Sequence, residues 1–144
     1  HCQKIAAILE KYDIFVDMRV TSAHKNGERI PGIVEDYNNS LEPGVVIAVA
    51  GRSNGLGGAL AANLSIPLIN CPPFSDKVDM MVNINSSLVM PSNTPASTIV
   101  DISCAAGAVL RALNLRRLKT VFLEEIAQTK ADLIAADEEI RKKL

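Results

Sequence analysis

His24 is the side chain in this sequence best suited to give and take a proton near neutral pH, because imidazole titrates there. It stands in Ser22-Ala23-His24-Lys25, and His1 is the other histidine of the chain. Ser22 adds a hydroxyl, and Lys25 a flexible cation suited to a phosphate or carboxylate. A second polar group, Gly51-Arg52-Ser53-Asn54-Gly55-Leu56-Gly57, follows the apolar run Val45-Val46-Ile47-Ala48-Val49-Ala50. A strand that runs into a glycine turn and then a helix start makes an anion site. The first N–H groups of the helix and the positive end of its dipole face the ligand. Glycine lets a ligand approach the backbone, and Arg52, Ser53 and Asn54 bring polar side chains to the same place. Each piece also has a plainer reading. A glycine-rich turn can be a tight junction with solvated polar residues. A histidine in a turn is commonly a surface or capping residue, Lys25 can be a solvated charge, and Arg52 can pair with a neighbouring subunit. Cys71, ahead of Pro72-Pro73, reads as a buried structural thiol with no base in view.

These groups need a scaffold, and the pattern of the chain supplies one. Residues 1–11 carry Ile5, Ala6, Ile8 and Leu9 at helical spacing. Residues 14–20 alternate enough to predict a strand, and 21–27 form a polar turn. Residues 28–40 read as a helix, with Pro31 tolerated near its start. Residues 45–50 are short, β-branched and uncharged, which suits a strand of a parallel sheet buried on both faces. A helix is predicted over 56–64, a strand over 66–70, a weakly patterned short helix within 78–88, a strand over 97–100 and a small-residue helix over 103–113. This alternation predicts an α/β sandwich with a parallel sheet. Right-handed crossovers bring the loops that follow successive strands to one edge. The loop at 21–27 and the loop at 51–57 should therefore share a crevice, with His24 beside Arg52, Ser53 and Asn54. From Leu115 the chain becomes charge-rich, with Leu118, Val121, Phe122, Leu133 and Ile140 on a long helix. A helix of that length cannot bury one face on a small domain throughout, so contact with another subunit is expected.

Bulk properties remove several function classes. The 144 residues suffice for one domain with a core, and no linker marks a second. A net charge of −1 offers no basic excess for nucleic acid, and 3% aromatics leave no stacking surface for single strands. No apolar stretch is long enough to cross a membrane. Cys2, Cys71 and Cys104 are odd in number and widely spaced, against a disulfide framework or a zinc site and in favour of a reducing, cytoplasmic compartment. No signal-peptide pattern precedes the first helix. No metal site is expected.

Taken together, Ser22-Ala23-His24-Lys25 and Ala48-Val49-Ala50-Gly51-Arg52-Ser53-Asn54-Gly55-Leu56-Gly57 closely resemble the two signature segments of the phosphoribosylaminoimidazole carboxylase family of purine biosynthesis. His1-Cys2-Gln3-Lys4-Ile5, Arg19-Val20-Thr21, Cys71-Pro72-Pro73 and Ser86-Ser87-Leu88-Val89-Met90-Pro91-Ser92 extend the likeness over nearly the whole chain. The resemblance implies a flavodoxin-like three-layer α/β sandwich with a parallel sheet and a long C-terminal helix. Of the family's two classes, one moves a carboxyl group from N5 to C4 of the aminoimidazole ring and carries an Ala-Ala-His-Leu-Pro-Gly type segment in the second loop. The other adds carbon dioxide directly and carries Arg-Ser-Asn-Gly-Leu. Arg52 to Leu56, with Lys25 after the histidine, resemble the direct class and are most similar to the carboxylase domain of the bifunctional animal enzyme.

That likeness implies roles. Aminoimidazole ribonucleotide binds with its ring near His24, C4 attacks carbon dioxide held by the second loop, and His24 removes the C4 proton. Ser22, Ala23 and Lys25 contribute phosphate or carboxylate binding. Gly51, Ser53, Asn54 and Gly55 hold the carboxyl group, and Arg52 serves substrate or interface. No metal, biotin, ATP or other cofactor is implied. The resemblance also implies a homo-octamer and admits a fused succinocarboxamide synthetase domain. The family's Gly-Ser-x-Ser-Asp loop, which binds ribose and phosphate, is expected just before His1. Since the sequence opens inside a helical pattern, a first strand and that loop are expected to precede it. Three other readings stand beside this one: the mutase class, a relative that carboxylates a nicotinate nucleotide, and a non-catalytic assembly or nucleotide-binding module.

Overall fold

The structure, a computed structural model, describes residues 1–143. It divides into two compact units, His1–Leu113 and the chain from Asn114 onward. In the first unit α1 (Cys2–Glu10) is followed by a 3-10 turn (Gly27–Arg29) that runs directly into α2 (Ile30–Asn38). Next come β1 (Val46–Ala48), α3 (Gly55–Ala61), β2 (Leu68–Asn70), α4 (Lys77–Leu88), β3 (Ser97–Thr98) and α5 (Ile102–Ala112). The strands form a parallel sheet in the order β1-β2-β3, with Val46 opposite Leu68 and Ile69 opposite Ser97. This is the expected α/β sandwich.

Its core follows from the periodicities. Ile30 and Val34, one turn apart on α2, meet Leu60 and Ala61 of α3 over Ala48 and Leu68 of the sheet. Burying each of the larger aliphatic side chains contributes on the order of 2 kcal/mol. On the other helix pair, Ile5, Ala6 and Leu9 of α1 pack against α5, whose buried face is Ala105, Ala106, Val109 and Leu110. The alanines permit close approach. Pro31 stands in the first turn of α2, where its missing N–H costs nothing.

Two expectations need correction. Residues 14–20 join no ladder among the described residues, and Phe15 and Val20 are 91% and 95% exposed. Apart from Ile14 N–H, which donates to Leu9 O at 3.3 Å, the bonds found there run through side chains: Arg19 reaches Asp17 and Asp36, each at 2.9 Å, and Tyr37 donates to Asp17 at 3.1 Å. Alternation alone cannot make a strand, which exists by its neighbour. The run 45–50 narrows to three strand residues, and Val46 and Ile47 are half-buried rather than covered on both faces. Among the described residues β1 has β2 alone beside it, whereas the central strand β2 is buried at all three positions.

The second unit is dominated by α6 (Arg116–Lys142), 27 residues and about 40 Å long. Arg141 pairs with Asp137 and Lys143 with Glu139 at one-turn spacing. Leu123, Leu133, Ile134 and Ile140 are exposed along it. Among the described residues, no helix is long and apolar enough to cross a membrane, and no group of three or more His, Cys, Asp or Glu is placed to hold a metal ion.

Candidate active site

His24 and the glycine turn meet. A methyl group placed on Gly55 would lie 2.8 Å from His24 Cε1, 3.0 Å from Nε2 and 3.4 Å from the Ala23 side chain. The imidazole therefore rests against the bare first residue of α3, one position past Asn54, as the crossover rule predicts. The loop that carries it is fixed by Asn26, whose Oδ1 accepts from Ser22 N–H at 2.7 Å and lies 3.3 Å from Thr21 Oγ1. His24 and Lys25 are exposed, Ser22 and Ala23 half-buried. Lys25 makes no ion pair among the described residues, which leaves its charge available.

The turn after β1 is held rather than open. Asn54 is buried and is the N-cap of α3: its Oδ1 accepts from Gly57 N–H at 2.9 Å. Its Nδ2 donates to Asn70 Oδ1 at 2.9 Å and to Ser87 Oγ at 3.0 Å, and its N–H donates to Ser86 Oγ at 2.6 Å. Arg52 N–H donates to Asn83 Oδ1 at 2.6 Å. Three N–H groups of the turn are thus taken by side chains, and one of them, that of Gly57, belongs to the helix start that the sequence offered to an anion. Asn54 acts as a structural cap, every polar atom of its side chain engaged within the protein. Exposed Arg52 and Ser53 and half-buried Gly51 and Gly55 are what the turn presents.

Arg52 adopts a left-handed backbone, φ 58°, which costs a non-glycine residue about 1 kcal/mol. Its guanidinium turns to Asp79, with Nη1 3.4 Å from Oδ1. That contact is an ion pair without hydrogen-bond geometry; with Arg52 largely exposed it contributes at most about 1 kcal/mol. The Asp79 carboxylate is steadied by Ser75, whose N–H and Oγ lie 3.0 and 3.3 Å from Oδ2. An open cleft of about 330 Å³ lies here, lined by Gly51, Arg52, Pro73, Phe74, Ser75, Asp79 and Asn83. A larger hollow of about 440 Å³ beside α2 and Asn63 holds none of the residues read from the sequence as functional.

Asn70, Asn83, Ser86 and Ser87 were not singled out by the chemistry of the sequence, yet they hold the turn. Their signal is an inverted helix. α4 buries Asn83 and Ser87 while Val78, Met81, Val82 and Leu88 are exposed. Asn70 Nδ2 is buried without a partner among the described residues, a cost of about 1–3 kcal/mol that the rest of the network offsets. Cys71 is fully buried, as expected, and burial pushes its thiol up. Its Sγ lies 3.6 Å from His1 Nε2, so a base does stand beside it.

The model of the AIR carboxylase family matches residues 1–136. The chain belongs to the AIR carboxylase family. It is 37% identical over 145 residues to the phosphoribosylaminoimidazole carboxylase of Archaeoglobus fulgidus, covering 98% of this chain and 78% of that protein. It is 39% identical over 106 residues to the bifunctional phosphoribosylaminoimidazole carboxylase/phosphoribosylaminoimidazole succinocarboxamide synthetase of Drosophila melanogaster. That match covers 74% of this chain and 24% of the fly protein, so the chain spans about a quarter of that relative's length. The crystal structure of Treponema denticola PurE superposes with a TM-score of 0.82 at 30% identity, over 96% of this AIR carboxylase family chain and 88% of that one.

Proposed function

We propose that this chain catalyses the reversible carboxylation of 5-aminoimidazole ribonucleotide at C4, with carbon dioxide as the direct carboxyl donor. The observation that carries the reading is the contact of His24 with Gly55, which joins the proton-shuttling segment to the glycine turn at one place. The ring's amino group makes C4 electron-rich. C4 forms the new bond to the carbon of carbon dioxide, and the C4 proton passes to His24, restoring aromaticity. In reverse, His24 protonates C4, the carbon–carbon bond breaks, and carbon dioxide leaves. Lys25 and Ser22 take the phosphate or the carboxylate, and Ser53, Gly51 and Gly55 line the carboxyl position. Holding a small electrophile and a proton acceptor together beside one ring carbon is catalysis by orientation. Arg52-Ser53-Asn54-Gly55-Leu56 supports the direct class over the mutase.

The family match spans both units, which supports treating them as one carboxylase domain. A homo-octamer in the cytoplasm belongs to the same proposal. The apolar residues exposed along α4 and α6 support subunit contacts. A fused synthetase domain is a feature of the fly relative by name; the proposal here concerns the carboxylase activity.

The test is decarboxylation of 4-carboxy-5-aminoimidazole ribonucleotide, followed by absorbance, with the forward reaction run at varied bicarbonate without ATP. Turnover that scales with dissolved carbon dioxide is expected, and His24→Asn should abolish it while sparing the fold. Conversion of the N5-carboxylated isomer alone would assign the mutase class. Silence in every arm would leave a nucleotide-binding module.

A further inference from the structure

We propose that Asn83 is a positioning residue of this reaction, and that α4 sets the conformation of the carboxyl-holding turn through Asp79 and Asn83. The inference rests on the functional reading above. Asp79 and Asn83 stand one helical turn apart and so share a face of α4. Both reach the same residue. The Asn83 carboxamide accepts from Arg52 N–H at 2.6 Å, and the Asp79 carboxylate faces the Arg52 guanidinium at 3.4 Å. Arg52 is thereby held at its backbone and at its tip, in a left-handed conformation that a free arginine leaves readily. The other end of the Asn83 amide is also committed, with Nδ2 donating to Pro73 O at 2.6 Å. Asn83 thus ties the loop after β1 to the loop after β2.

The burial pattern points the same way. Asn83 is 3% exposed in a helix whose outward residues include Val78, Met81 and Val82. A helix with a polar face turned inward forgoes hydrophobic burial there and gains defined donors and acceptors. Here those groups end on the backbone of the site turn at two points, Arg52 and Asn54. One residue past Asn54, Gly55 carries His24. A turn released by α4 would move the carboxyl position relative to the imidazole with both catalytic segments otherwise intact.

The experiment compares wild type, Asn83→Leu and Asn83→Asp by hydrogen–deuterium exchange of the peptide covering residues 49–56 and by decarboxylation kinetics. Leucine removes both bonds. Aspartate keeps the acceptor for Arg52 N–H and, buried against the Pro73 carbonyl, takes up a proton and donates it there in place of the amide. In Asn83→Leu, exchange in 49–56 should quicken about fivefold to tenfold while α1 and α5 peptides hold wild-type rates. The kcat should fall about 10- to 100-fold with KM for the nucleotide changed less than about threefold. Asn83→Asp should keep the protection of 49–56 and most of kcat. Unchanged exchange in Asn83→Leu overturns the clamp, and unchanged kcat with a loosened turn overturns the positioning role. If Asn83→Leu opens the whole chain, Asn83→Asp decides: loss of protection at 49–56 overturns the proposal. An inactive wild type would refute the functional reading, and the exchange arm would still decide the clamp.

Discussion

Gly55→Ala should separate activity from stability. The added methyl would stand 2.8 Å from His24 Cε1 and 3.0 Å from Nε2, where ordinary contact begins near 3.4 Å. The ring must withdraw by about 0.6 Å or more, and displacements of about 1 Å at a reacting group cost about 100-fold in rate. Withdrawal is easy because His24 is exposed. Gly55 is the first residue of α3 and has no left-handed φ, so alanine is tolerated there and gains roughly 0.5 kcal/mol from a less flexible unfolded chain. The expected outcome is a thermal midpoint at or slightly above wild type, a kcat for decarboxylation reduced about 10- to 100-fold, and a nearly constant KM. The assay is the absorbance-followed decarboxylation beside a thermal melt of the same sample. A wild-type kcat would refute the link between the His24–Gly55 contact and the chemistry. A collapsed melt would show that the imidazole cannot yield, contrary to its exposure.

Three more outcomes follow from the geometry. Gly57→Ala should do the opposite of Gly55→Ala and cost stability: its methyl would overlap Asn70 Oδ1 and stand 2.7 and 2.8 Å from the Asn54 amide, all buried. The urea midpoint should fall by the equivalent of about 1–3 kcal/mol, and an unmoved midpoint would mean that the Asn54–Asn70 pair can yield. The Asp101 carboxyl, N-cap of α5, is held down at about 2 by the Ser103 hydroxyl first and the Cys104 N–H second. Its folded value lies below its unfolded one, so its stabilisation is complete above about pH 4 and is lost as pH falls toward 2. The melting difference between wild type and Asp101→Asn should shrink over that window; a difference independent of pH contradicts it. A maleimide should label exposed Cys2 and Cys104 in the folded chain and reach Cys71, fully buried and with its thiol pushed up, once denaturant is added. Equal labelling rates would refute that burial.

The convergence of His24 with the turn after β1 was legible because handedness constrains parallel α/β connections whatever the side chains. The positions of α1, α2 and α5 were legible because their apolar residues recur at helical spacing. What escaped was what depends on partners remote in the chain. The strand expected at 14–20 needed a neighbour along its backbone, which alternation does not encode. Asn54 read as a ligand-binding amide because its partners, Asn70 and Ser87, lie 16 and 33 residues away. α4 read as weakly patterned because its pattern runs the other way, with Asn83 and Ser87 inside. A search for apolar stripes scores such a helix as noise, although polar residues at i and i+4 within an apolar helix carry the same periodic information.

The glycines of the turn bear on how such a motif is inherited. Among the described residues, those with positive φ are Asp13, Arg52, Asn93 and Asn114, and none is glycine. Gly55 and Gly57 are therefore kept small by their neighbours, the His24 ring and the Asn70–Asn54 pair, while Gly51 stands closely against the Asn83 amide. A glycine retained for its dihedral angle is constrained by itself, whereas one retained for clearance is constrained by whatever stands opposite. Position 57 becomes free to vary in any lineage that first shortens both position 70 and position 54, and position 55 in any that relocates the imidazole. The spelling Gly-x-Gly in this turn is thus a record of side chains elsewhere, and its loss in a descendant would report a change at Asn70 or His24 before it reported a change of ligand.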